Sequence, residues 1–171
     1  MIMILMILCG TLIGSHNTLS DMRKEALAVF SNGIRGDGIG IQGDLNERES
    51  IAYNMVTVAR RYMPEDNALI VHVLEARNAL LKAASVGEKY AADQQLDKAV
   101  KGLYDVLSGM NLSQQDSRYP GSLYTDFRSR GDTISHDPYH AEATAFNRLL
   151  AKFPAGILAG LTGVQPLELF Q

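Results

Sequence analysis

The segment His136-Asp137-Pro138-Tyr139-His140 concentrates the side chains of this chain best able to hold a metal. Two histidines four apart on a helix share a face and can grip one ion. Pro138 lies between them, however, and breaks the helix that would align them. No third ligand stands where it would complete the site. Asp137-Pro138 instead suits a helix N-terminus, with Asp137 as cap and Pro138 in the first helical position. His136 and His140 are therefore weak metal candidates. The expectation is a solvated loop at a helix start, with no metal.

Gly36-Asp37-Gly38-Ile39-Gly40 has the glycine content of a phosphate cradle. Such a cradle follows a strand and opens a helix. Here a helical pattern precedes it and the lysine is missing, so a flexible connector is expected. Arg35-Gly36-Asp37 and Arg130-Gly131-Asp132 both spell an adhesion tripeptide, a coincidence that three-residue matches often produce. The single cysteine, Cys9, excludes an internal disulfide and a multi-cysteine zinc site. It lies in an apolar run that disfavours its thiolate. No nucleophile stands with a base and an orienting group. These residues predict no catalytic group, no cofactor and no enzyme.

Two polar positions interrupt apolar stripes. Arg77, followed by Asn78, breaks a helical face; if buried it needs a carboxylate, or it snorkels to water. Asn54 is a candidate for an interhelical hydrogen bond that fixes register.

The elements that must carry these residues are helical. Leu19, Met22, Ala26, Leu27 and Phe30 recur at helical spacing. Five glycines between residues 31 and 44 predict a loop there. Ile51, Met55, Val58, Ala59 and Tyr62 line the next helix, which Pro64 ends or kinks. Leu69, Ile70, Val73, Leu74, Leu80 and Leu81 form another stripe, with a stop expected at residues 85–87. A third stripe runs from about Ala91 to Gln115. Tyr119-Pro120-Gly121 reads as a turn, residues 122–130 as a weaker helix, and residues 139–152 as the last amphipathic one. No stretch alternates with period two. The prediction is all-α: an antiparallel helical bundle over residues 20–171.

Residues 1–14, MIMILMILCGTLIG, are uncharged and apolar on every helical face. A helix of that length spans only ~21 Å against a hydrocarbon core of ~30 Å, and continuing it through Leu19 brings it near to spanning. A membrane anchor over 1–19 is expected, with Ile2, Ile4, Leu5, Ile7, Leu8, Leu12 and Ile13 facing lipid. A cleaved secretory leader would need a basic start, which is absent; a buried core helix is the third reading. Arg23 and Lys24 follow the apolar run, which places the bulk of the chain in the cytoplasm and a short N-terminus outside. After Lys152 comes a second uncharged stretch, 153–164, in which Gly156 and Gly160 stand four apart. That spacing lets a helix approach closely in lipid; a C-terminal hairpin folded onto the bundle is an equal reading.

The chain has 171 residues, 46% hydrophobic and 20% charged, with 16 Lys and Arg against 19 Asp and Glu. It can bury a core, and it lacks the basic surplus that nucleic-acid binding requires.

Taken together, these features resemble the LemA family of bacterial membrane-anchored helical proteins. The tail carries the resemblance best: Phe153-Pro154, then Ala159-Gly160-Leu161-Thr162-Gly163, then Pro166 and Phe170. Ile51-Ala52-Tyr53-Asn54-Met55-Val56 is similar to the family's Ile-x-x-Asn-Leu-Val helix, and Ala76-Arg77-Asn78 to its Ala-Arg-Asn segment. Tyr119-Pro120 and Phe146-Asn147 resemble its Tyr-Pro turn and its Tyr-Asn pair. The chain departs from the pattern at Gly33 to Gly43, at Tyr53, at Pro138 and in a shortened stretch at 121–134. The resemblance implies an all-α bundle with an N-terminal transmembrane segment and a cytoplasmic body, and no reaction. Some relatives are associated with building internal membranes, which implies a scaffold.

The expectation is thus a non-catalytic scaffold or adaptor at the cytoplasmic membrane. Its partners would be membrane lipid and a protein or a second copy of the chain, with no nucleic acid and no small-molecule substrate identified. The alternatives are a secreted or periplasmic binding module with a cleaved leader and, last, a metal-binding protein using His136 and His140.

Overall fold

The computed structural model describes the backbone of residues 2–34 and 40–171, and side chains from residue 12 onward within them. The described residues form helices α1 (Ile2–Asn32), α2 (Ile41–Ala59), α3 (Ala68–Lys82), α4 (Val86–Gly109), α5 (Tyr119–Ser135), α6 (Tyr139–Leu150) and α7 (Ala155–Thr162), with no strand among them. The chain divides into two compact units. The terminal unit comprises residues up to Ile41 with Pro138–Leu169, and the central unit comprises Gln42–Asp137 with Phe170–Gln171.

In the terminal unit, α1 supplies Leu19, Ala26 and Phe30 to the core, and α6 supplies Tyr139, Ala143, Phe146 and Leu150. Both sets recur at helical spacing, so each helix buries one stripe. Phe30 meets Tyr139 edge-on, with ring centroids 5.2 Å apart. α6 and α7 form a hairpin folded onto α1, one of the two readings of the apolar tail. Gly163 ends α7 in the left-handed conformation (φ 75°), and the N–H of Val164 returns to the Ala159 carbonyl at 3.1 Å. Glycine takes that conformation without a Cβ penalty.

In the central unit, α3 and α4 pack along their length. Ile70, Val73 and Leu80 face the stripe Leu96, Val100, Leu103 and Leu107, all buried. Tyr104 and Tyr124 stack at 4.2 Å between α4 and α5. From the tail, Phe170 sits edge-on to Tyr90 at 5.3 Å.

Several predicted boundaries move. Residues 85–87 start a helix rather than stop one. Ser85 Oγ accepts the Glu88 N–H at 3.2 Å, and Glu88 Oε2 accepts the N–H groups of Ser85 and Ala84 at 3.2 and 2.7 Å. That capping box satisfies donors the helix cannot. Those two N–H groups also hold the Glu88 carboxyl below its usual range. α4 ends at Gly109 rather than near Gln115, with the Met110 N–H turned back to the Leu107 carbonyl. Tyr119-Pro120 opens α5 instead of making a turn, because a proline in the first turn has no N–H to leave unpaired. α5 then runs on to Ser135. The expected loop over 31–44 is helical at both ends, to Asn32 and from Ile41.

Candidate functional site

Three constellations organise the polar and apolar chemistry of the two units. The first is a buried charge cluster in the central unit. Arg48 on α2 is only 2% exposed. Its Nε donates to Asp93 Oδ1 at 2.8 Å, Nη2 to Asp97 Oδ1 at 3.0 Å and Nη1 to the Phe127 carbonyl at 3.1 Å. Asp93 and Asp97 stand four apart on α4, so the helix turns both carboxylates toward one guanidinium. The Phe127 ring lies 3.8 Å from the Arg48 carbon, a cation–π contact. Burial pushes the Asp93 carboxyl above its usual value, and the Arg48 charge draws it partly back. Flanking this brace, Arg130 of α5 pairs with buried Asp44 at 3.1 Å, and Arg77 of α3 pairs with Glu49. At the far end of α2, Asp116 accepts from Arg61 and from the Tyr62 hydroxyl, each at 2.7 Å. The cluster links α2 to α3, α4 and α5. Each of the three Arg48 nitrogens donates to a protein acceptor, which makes the guanidinium a brace.

The second constellation holds the chain's tail in the terminal unit. Asn147 of α6 receives the Leu167 N–H at 2.8 Å and donates to the Leu167 carbonyl at 2.9 Å. The Tyr139 hydroxyl donates to the Glu168 carbonyl at 2.6 Å, and Arg23 Nε to the Gln165 carbonyl at 3.0 Å. An extended segment has no internal ladder for its backbone groups, so side chains supply the partners. Burial raises the Tyr139 phenol to about 12; the Glu168 charge adds to the rise and Arg23 opposes it.

The third is apolar. Phe153, Ile157 and Leu161 recur every four residues along the α6–α7 turn and α7, and are 84%, 58% and 69% exposed. Ile13 of α1 is also exposed. Beside them a shallow groove is lined by Gly14, Ser15, Thr18 and Leu19 of α1 and by Pro154, Ala155 and Leu158.

The predicted histidine pair falls on two helices. His136 caps the C-terminus of α5, with its ring near Ser135 Oγ and the Asp132 carbonyl, and His140 lies in the first turn of α6. No single helix brings them into register. The N-cap of α6 is Pro138 itself, in helical conformation, and not Asp137, which is buried just before it. Among the described residues no group of three or more histidine, cysteine or acidic side chains could hold a metal ion. The phosphate-cradle and adhesion readings at residues 35–39 fall outside the described residues. Arg130-Gly131-Asp132 lies within α5, where Arg130 is tied to Asp44. Among the described residues no helix is long and apolar enough to cross a membrane. The side chains of Ile2, Ile4, Leu5, Ile7 and Leu8 lie outside that description; of the rest of the expected anchor face, Leu12 is half-buried and Ile13 exposed.

A family model described as the LemA family matches residues 39–171. The chain belongs to the LemA family. The matched stretch takes in α2 to α7 and the tail, and so contains the buried brace and most of the tail clamp. No curated protein matches the chain. The LemA-type positions read from the sequence now have places. Asn147 is the tail clamp. Tyr119 and Pro120 open α5, Phe153 and Pro154 form the hairpin tip, and Gly163 is the left-handed cap. Gly160 and Pro166 are exposed. Arg77 has the carboxylate its position required, in Glu49, and lies 5.0 Å from the Tyr53 ring. Asn54 and Asn78 are exposed, so the interhelical role expected of Asn54 is corrected. The LemA motif residues gave no hint of Arg48, Asp93 or Asp97. Their signal was present as an arginine on the buried side of α2 and an i, i+4 acidic pair beside the Leu96 stripe.

Proposed function

We propose that this LemA-family chain is a non-catalytic helical protein tethered to the cytoplasmic membrane by the N-terminal part of α1, serving as a scaffold or adaptor. One observation carries the reading. α1 is a single helix of 31 residues, about 46 Å long, and the first core residue among its described side chains is Leu19. The helix therefore continues N-terminally from the packed core through residues 2–14, which hold no charge. From residue 2 to residue 19 it reaches ~27 Å, close to a hydrocarbon core. The polar groups described above support the non-catalytic part of the reading: they hold helices and the tail together. Partners would be lipid and a protein or second copy; the reading involves neither nucleic acid nor a substrate.

The test is extraction of membranes containing the full chain with alkaline carbonate, beside a variant lacking residues 2–13, which leaves Leu19 and the core in place. The full chain should stay with the membrane and the variant should be released. A full chain that washes off removes the tether. Crosslinking in intact membranes then separates the two roles: a ladder of homo-oligomers marks a scaffold, and a single distinct partner marks an adaptor.

A further inference from the structure

We infer that the tip of the α6–α7 hairpin and the outer face of α7 dip into the lipid beside α1, as a second membrane contact of the terminal unit. The inference rests on the tether just proposed. Phe153, Ile157 and Leu161 form one exposed stripe, and large exposed apolar stripes mark interaction surfaces. Their position along α1 identifies the occupant. α6 runs antiparallel to α1: Tyr139 packs on Phe30 near one end, and Leu149 and Lys152 border a groove with Met22 at the other. The chain turns at Phe153-Pro154 and runs back, so that Pro154 and Ala155 lie against Gly14–Leu19 and Gln165 lies against Arg23. The hairpin tip therefore points along α1 toward its uncharged end.

The first charge on α1 is Asp21. Gly14 to Leu19 lie seven to two residues before it, so the Phe153 end sits about 3–10 Å deeper than Asp21, and Leu161 lies ~12 Å back along α7 toward the charged end. A hydrocarbon layer that takes in α1 as far as Leu19 reaches the Phe153 end of this stripe. The stretch 153–167 carries no charged residue. Lys152, exposed at the tip, can extend its stem and keep its ammonium among headgroups. An apolar face with a lysine at its tip suits the boundary between headgroups and acyl chains.

The test uses the full chain with Cys9→Ser and one new cysteine, Phe153→Cys or Leu161→Cys, labelled with an environment-sensitive fluorophore. Both positions are exposed, so the labels leave the core intact. The protein is reconstituted in vesicles of phosphatidylcholine and phosphatidylglycerol containing doxyl-labelled lipids of graded depth. The expected result is blue-shifted emission at both positions, with position 153 quenched best by deep doxyl groups and position 161 by shallow ones. Water-like emission from a chain that still floats with the vesicles overturns this inference and leaves the tether standing. A blue shift without doxyl quenching overturns it in favour of a second copy of the chain on that face. A chain that does not float overturns the tether and the inference together.

Discussion

A methyl group at position 131 would collide with the Arg48 guanidinium. Flexible ends usually yield to such an intrusion, but this one is held by three hydrogen bonds and an aromatic face. Gly131→Ala should therefore lower stability by about 1–3 kcal/mol despite the better helix propensity of alanine. Gly121, also on α5, has open space where its Cβ would be. Gly121→Ala should raise stability by about 0.5 kcal/mol. Urea unfolding of the two variants checks the contrast; equal effects would mean that Arg48 is free to move. Asp93 makes a second prediction, set by pH. Burial raises its folded-state pKa, with Arg48 opposing. In the range just above the ordinary carboxylate value the folded chain then binds more protons than the unfolded one, so this group adds stability as pH falls. Asp93→Asn removes that contribution. Relative to the variant, the wild-type chain should gain stability between pH 7 and pH 4.5, as read by urea midpoints. A relative loss would mean that Arg48 outweighs burial. Arg48 bears out the general point that a buried charge survives where acceptors surround it.

Helix stripes were the most legible level of this sequence. α1, α3, α4 and α6 follow apolar residues at helical spacing, because each buries one face. Boundaries were less legible, since Ser85 acts by local capping and Pro120 by lacking an N–H in the first turn, and both residue types can stop or start a helix. Pro138 tells against the His136–His140 pair in the sequence itself, and the chain ends α5 and begins α6 between the two. Arg48 and its two aspartates were invisible in spacing alone: they lie on different helices, and only packing shows which carboxylates face it. The tail was legible as a motif, but its reason was not. Asn147 pairs both the donor and the acceptor of Leu167, while Leu167 itself is buried. Removing the amide leaves two backbone groups unpaired beside an apolar side chain, which costs about 1–3 kcal/mol. Asn147→Ala should therefore free the segment from Gln165 onward. The Leu167 amide should exchange hydrogen at least as fast as exposed loops, and carboxypeptidase should trim the tail. Unchanged protection would show that burial of Val164 and Leu167 alone holds it.

At the scale of the whole chain, orientation is the property that a tethered reading must get right. A net charge of −3 spread over 171 residues gives little bias. Loops near the end of a span decide instead, and basic residues count there far more than acidic ones. Arg23 and Lys24 are the first basic residues after the apolar run. Their roles differ. Arg23 is committed to the Gln165 carbonyl, whereas Lys24 is exposed beside Asp21, with which it pairs at 3.2 Å. Both cations must stay out of lipid, and the tail clamp adds a structural cost to any topology that pulls Arg23 through. The proposed tether would therefore put residues 42–137 on the cytoplasmic side. Asp126 on α5 is exposed and suits a reporter. With Cys9→Ser and Asp126→Cys, a membrane-impermeant maleimide should leave the chain unlabelled in intact bacterial cells and label it after lysis. Labelling of intact cells would show that two basic residues do not set the orientation. The cytoplasmic placement would then fall, while carbonate extraction would still decide the tether by itself.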